Sequence, residues 1–156
     1  MSAAIAAAVV TAAPLVGGTA RADGAAPAPE ADVSHHGYVT LRGSALDIRL
    51  RSENRGPSDL DGVTVRVRLS AELAGPQELP GACLRADPQT VLCRTGPLHA
   101  DGVQQRRIAL GLRLRGEPDQ VVVRVGTAWN GGATDRDTGN DEHEVLALAT
   151  GDTYVF

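Results

Sequence analysis

The sequence predicts an all-β fold, an antiparallel sandwich of about seven strands, on three observations. Apolar residues alternate with arginines in several short runs. Clusters of Gly, Pro, Asp and Asn separate those runs. No long 3.6-residue periodicity and no βαβ unit occurs anywhere in the 156 residues. The clearest stretch is Leu46–Leu69. Leu46, Ile48 and Leu50 alternate with Asp47, Arg49 and Arg51, and Val63, Val65, Val67 and Leu69 alternate with Thr64, Arg66 and Arg68. A period of two with arginine on the opposite face describes strands buried on one side and solvated on the other. The intervening loop, Ser52–Gly62, carries Asn54, Gly56, Pro57, Asp59, Asp61 and Gly62, residues suited to turns.

The remaining elements follow in order. Gly37–Arg42 is a short first strand, ended by Gly43. After the Leu46–Leu50 and Val63–Leu69 strands, Ala71–Gly81 holds two prolines and two glycines and is expected to cross between sheets. Thr95–Gly102 is a second such loop. Arg107–Arg115 alternates again, with Ile108, Leu110, Leu112 and Leu114 inward and Gly111 outward, a point where a bulge or close approach is expected. Gly116–Asp119 is a turn, Val121–Val125 a strand, Asn130–Asn140 a polar loop, and Glu144–Thr150 the last strand.

The N-terminus reads as an address. Met1–Ala20 carries no charge, and Pro14 and Gly17-Gly18 interrupt it before a membrane span is reached. Ala20-Arg21-Ala22 has the small residues that a signal peptidase accepts, which places cleavage between Ala22 and Asp23. No basic residue precedes the apolar run, a departure from the usual pattern. Residues 1–22 are thus expected to be removed, leaving no stable membrane span. Residues 23–35, Ala/Pro-rich and without large apolar side chains, are expected to form a flexible tether, and residues 36–156 the domain.

Two cysteines in a chain with an export signal read as one disulfide. If Cys83 faces Cys93 across a hairpin, Leu84 faces Leu92, Arg85 faces Val91 and Ala86 faces Thr90, leaving Asp87-Pro88-Gln89 as the turn. Neither a C-x-x-C pair nor added ligands at coordination spacing points to redox or metal chemistry.

These segments resemble a bacterial cell-surface repeat, a family of immunoglobulin-like domains known only as a domain of unknown function. The likeness rests on Asn54-Arg-Gly-Pro-Ser, Gly62-Val-Thr-Val, the cysteine hairpin, the Gly-Pro-Leu-x-Ala-x-Gly step at Gly96–Gly102 and the long Arg/Ile/Leu strand. It covers about Leu46–Ala149, in a single copy. The chain departs from the family at Arg66–Ser70, where an aspartate-threonine-leucine-proline step is usual, and at Asn140-Asp141, where paired asparagines are usual. The resemblance implies an immunoglobulin-like sandwich serving as a spacer or adhesion module of an exported protein.

Composition narrows the function classes. All 15 basic residues are arginine, yet the net charge is −4, so no basic excess marks a nucleic-acid footprint. No G-x-S-x-G elbow and no lysine-bearing phosphate loop exists, and Glu142 with Glu144 is a carboxylate pair too common in loops to indicate acid–base work. The expected function is therefore non-catalytic, with no resident cofactor. Asp135, Asp137, Asn140 and Asp141 offer the hard oxygens calcium prefers, but as an EF-hand the loop fails: counted from Asp135, its sixth residue is Asn140 and its twelfth Leu146. Closing turns is the competing role for these side chains. His35-His36, at the tether boundary, is expected to be a solvated pair, since a zinc site needs a third ligand brought in by folding.

The chain is thus expected to be a structural, adhesive or protein-interaction module outside the cell or in its envelope. Its partner is a protein or the cell wall. The alternative is a module that binds cell-wall polysaccharide, for which Trp129 is the candidate platform; a ring capping the end of the sandwich is the competing reading of Trp129.

Overall fold

A computed structural model describes residues 26–156. The elements are β1 (Glu30–Ala31), β2 (Val33–Arg42), β3 (Ala45–Asn54), β4 (Thr64–Leu69), β5 (Cys83–Asp87), β6 (Thr90–Arg94), β7 (Arg106–Arg113), β8 (Gln120–Trp129), β9 (Thr134–Asp135), β10 (His143–Leu148) and β11 (Thr153–Val155). A 3-10 turn spans Ala100–Gly102. Among the described residues no helix is long and apolar enough to cross a membrane.

Two antiparallel sheets carry the fold. One has the order β11-β2-β3-β7, the other β10-β8-β4-β6-β5. Alternation builds their shared core. Val39, Leu41, Leu46, Ile48, Leu50, Leu110 and Leu112 come from the first sheet, and Val65, Val67, Val91, Val121, Val123 and Ala147 from the second, all at most 2 % exposed. The result is a sandwich-like all-β domain. The crossing loops are pinned rather than loose: Leu73 pairs with Leu114 and Leu60 with Leu98, and the Leu73 and Leu98 side chains are fully buried. β3 and β4, the two strands of the Leu46–Leu69 stretch, lie inside their sheets, but in different ones.

Several expectations need correction. The strand count of about seven is low: nine strands form the two main sheets, and β1 pairs with β9 in a separate parallel ladder. β11 follows the strand expected to be last. The domain starts before residue 36, because the supposed tether is ordered from Glu30. Ala31 and Val33 are buried, Val33 N–H donates to Asp135 Oδ2 at 2.8 Å, and Asn140 Nδ2 donates to Asp32 Oδ1 at 2.7 Å. Polar and backbone bonds, invisible to a count of large apolar residues, hold this segment. Gly111 is neither bulged nor closely approached: it pairs regularly with Asp47, and a Cβ there would make only ordinary contact with Asp47 Oδ1 at 3.6 Å.

The Cys83–Cys93 disulfide is present, with Cα atoms 4.0 Å apart on paired strands. The register matches expectation for Leu84/Leu92 and Arg85/Val91, then shifts: Asp87, not Ala86, faces Thr90. Ala86 is thus the extra residue of a bulge, and the turn tightens to Pro88-Gln89.

Candidate interaction site on the four-stranded sheet

Polar side chains sort into two populations, one sealed between the sheets and one spread over their outer faces. The sealed set centres on His35, which is fully buried, so the expectation of a solvated pair fails for it. His35 Nδ1 lies 2.9 Å from Ser52 Oγ on β3, and Nε2 lies 2.9 Å from Thr127 Oγ1 on β8. The imidazole faces inward because β2 continues the parity of Val33, Val39 and Leu41. Burial pushes its pKa down to about 4, with the neighbouring His143 and His36 adding to the effect. Thr127 also bonds Asp141, a buried residue whose carboxyl is pushed up, chiefly by burial, against that bond; Asp135 and Glu142 add to the rise. A Thr127 hydroxyl that donates to Asp141 accepts from His35 Nε2–H, and in that arrangement Nδ1 accepts from Ser52. Ser52 is fully buried too, so this hydroxyl–imidazole pair meets no solvent.

On the outer face of the β11-β2-β3-β7 sheet the picture is reversed. Arg49 and Arg51 project from β3 and Arg107 from β7, all exposed. The register sets Arg51 directly opposite Arg107 on one side and His36 on the other. Arg49 lies between Tyr38 and Ala109, and Tyr38 faces Val155 of β11. Small side chains at Ala109 and Gly111 keep the β7 side low, and the surface dips into a shallow trough of about 730 Å³, walled by Tyr38, the three arginines, Val155 and Phe156. Among the described residues none of Arg49, Arg51 and Arg107 has an ion-pair partner within 4.0 Å. Asp47 is the acid of this face next to Arg49 on β3. Glu53, farther along, is engaged by Arg55 at 2.6 Å and Gln105 at 2.8 Å. Burial raises the Glu53 carboxyl, but those two hydrogen bonds and the Arg55 charge outweigh it and hold the group below its usual range.

The other sheet treats its arginines differently. Arg66 and Arg68 are exposed on β4 as expected, but that face carries its own acids: Arg124 pairs with Glu144 at 2.6 Å, and Arg66 lies 3.9 Å from Glu142. Among the described residues Arg68 and Arg94 of that sheet also lack an ion pair within 4.0 Å, so what sets the β2-β3-β7 face apart is that Arg51 and Arg107 stand directly opposite each other with neither ion-paired.

The residues singled out from sequence fall as follows. Asp135 accepts from Val33 N–H through Oδ2 and from Asp137 N–H at 3.0 Å through Oδ1, which is a turn-closing role. Asn140 Nδ2 donates to Asp32, while its Oδ1 is buried without a hydrogen-bond partner among the described residues, and Asp141 is bonded to Thr127. Asp137 is exposed. Among the described residues no group of three His, Cys, Asp or Glu side chains is arranged to hold a metal ion. Trp129, at the end of β8, is 49 % exposed and does not cap the core. A shift in register sets Thr64 opposite Trp129 but Val65 opposite Thr127, so Ala128 is a bulge that turns the indole off the inward parity of Val121–Thr127. It lines neither the arginine trough nor the clefts of the other face. Ala22 and Asp23, the expected cleavage site, lie outside the described residues. Tyr38 and Arg107 are the trough residues that sequence reasoning did not single out; their alternation with buried neighbours was the available signal, but their juxtaposition depends on the β2-β3-β7 register.

Comparison with protein-family models, with curated proteins and with solved structures returns no match to this chain.

Proposed function

We propose that the chain is an exported, non-catalytic structural, adhesive or protein-interaction module of a bacterial envelope or its surroundings, with an immunoglobulin-like fold. The observation that carries the reading is the partition of polar groups. The imidazole and hydroxyls that could do chemistry, His35, Ser52 and Thr127, are spent on each other inside the sandwich, while the exposed faces present guanidinium groups suited to recognition. The sheet orders β11-β2-β3-β7 and β10-β8-β4-β6-β5 support an immunoglobulin-like arrangement, as do the turn motifs around Asn54 and Gly96. A disulfide supports an oxidising compartment outside the cytosol. Intact-mass analysis of the natural protein after cell fractionation tests export. A chain beginning at Asp23, oxidised and outside the cytosol, agrees with the proposal; an uncleaved cytosolic chain with two free thiols rejects it.

Binding of cell-wall polysaccharide is the second reading. What favours it is the exposed ring of Tyr38 set among arginines rather than Trp129 itself.

A further inference from the structure

We infer that the trough on the β11-β2-β3-β7 sheet is a binding site for a carboxylated polysaccharide, a polyuronate; the inference rests on reading the domain as an envelope module and names the ligand of its polysaccharide-binding form. The first argument is electrostatic. His36, Arg51 and Arg107 stand in one cross-strand row, and Arg49 follows two residues along the same face. Like charges set directly opposite each other destabilise a sheet. The other sheet sets Glu142 beside Arg66 and Glu144 beside Arg124. Here Arg51 and Arg107 face each other with no carboxylate within 4.0 Å among the described residues, and Glu53, two residues on from Arg51, is already engaged by Arg55 and Gln105. In a chain of net charge −4 such a row is complementary to an external anion.

The second argument selects the kind of anion. The trough lies on the face of β2 and β3, and both strands are already paired on both sides, β2 by β11 and β3, β3 by β2 and β7. At Tyr38–Thr40 of β2 and Ala45–Ser52 of β3 the backbone is paired on both sides, so a peptide strand cannot be added there, which is how extended peptides are commonly gripped by sheets. Recognition here belongs to side chains. Guanidinium forks match planar carboxylates two bonds at a time. Tyr38, 42 % exposed beside Arg49, offers a ring on which the apolar face of a pyranose lies flat. Val155 and Phe156 extend that apolar wall. A sugar ring on Tyr38 with its carboxylate on the arginine row uses both features; a simple inorganic anion uses one. Single exposed charge contacts are weak, so a polymer that repeats the carboxylate is the form of ligand this site can hold.

The test is calorimetric titration of the purified full chain, disulfide intact, with oligogalacturonate, neutral dextran and poly-glutamate. Oligogalacturonate is expected to bind, more weakly as salt is raised, and dextran to give no heat. Arg51→Gln with Arg107→Gln should weaken oligogalacturonate binding at least about tenfold and Tyr38→Ala at least about fivefold, while Arg66→Gln with Arg68→Gln changes it less than about twofold. The Arg51/Arg107 variant should melt no lower than the parent, since it removes a repulsion, so lost binding cannot be lost folding. Absence of oligogalacturonate binding, or binding indifferent to Arg51 and Arg107, overturns the inference. So does poly-glutamate binding as tightly and indifferently to Tyr38→Ala, which assigns the face to an acidic protein. A chain that associates with envelope material but ignores oligogalacturonate loses this ligand and keeps the module reading.

Discussion

His35 on β2 and Thr127 on β8 meet at 2.9 Å, Nε2 to Oγ1, and so tie the four-stranded sheet to the five-stranded one by a part-buried hydrogen bond. With Ser52 on the other ring nitrogen both nitrogens are bonded, and burial disfavours the charged form of the ring. In the unfolded chain it takes up a proton near pH 6.5; in the folded domain it does so only near pH 4. Between those values the unfolded state binds more protons, so stability falls as pH falls through that window. The full effect is on the order of 3 kcal/mol, flat above about pH 7. Urea denaturation across that range should show the slope, and His35→Gln should flatten it. Glu53, held low, loses its contribution only at more acid pH, and Asp141, held high, acts in the opposite sense, favouring the fold as its carboxyl protonates.

Asn54 accounts for the Asn-x-Gly-Pro-Ser marker in physical terms. Its buried Oδ1 accepts from Asp32 N–H at 3.1 Å and Gly56 N–H at 3.0 Å, while Nδ2 donates to Ser58 O at 2.6 Å. Glycine is required at position 56, where a Cβ would sit 2.5 Å from Ala31 Cα. Asn54→Ala strands several buried groups and should cost about 2–4 kcal/mol in chemical denaturation. It should also raise hydrogen exchange at Asp32 and Val33 before it affects β4.

The disulfide closes a ring between residues ten apart in sequence. Replacing both Cys83 and Cys93 by serine should lower stability by about 2–3 kcal/mol by the loop-entropy account without abolishing the fold. The same loss should appear when the parent is melted in reductant.

Asp135 and Asp141 are occupied by Val33, Asp137 and Thr127, and Asn140 is tied to Asp32 through its nitrogen, which leaves Asn140 Oδ1 buried without a hydrogen-bond partner among the described residues. Millimolar calcium should therefore leave the melting temperature unchanged. An upward shift lost in Asp135→Asn would show that the loop reorganises around the ion.

Much of the sandwich was legible because period-two alternation is local: β3, β4, β7 and the Cys83–Cys93 hairpin are written in residues that neighbour each other. What was illegible depended on distant partners. β1 and the start of β2 are held by Asp135, Asn54 and Asn140, far along the chain. His35 is internal because Ser52 and Thr127 wait for it, and nothing beside it in sequence says so. Trp129 turned outward because of one bulged residue, Ala128, between the Thr64 and Val65 pairs. For the candidate site, the outward arginines were readable, but the placing of Arg51 opposite Arg107 was not, since it follows from the register of β3 on β7.

The central claim, a module that holds to envelope material through the face of one sheet, is tested most directly by co-sedimentation. Purified full chain is mixed with washed envelope material of the source cell, and the pelleted fraction is compared between parent, Arg51→Gln/Arg107→Gln and Trp129→Ala. The account predicts that the parent and Trp129→Ala pellet alike and that the arginine variant stays in solution. A parent that stays in solution, or an arginine variant that pellets as fully as the parent, contradicts it.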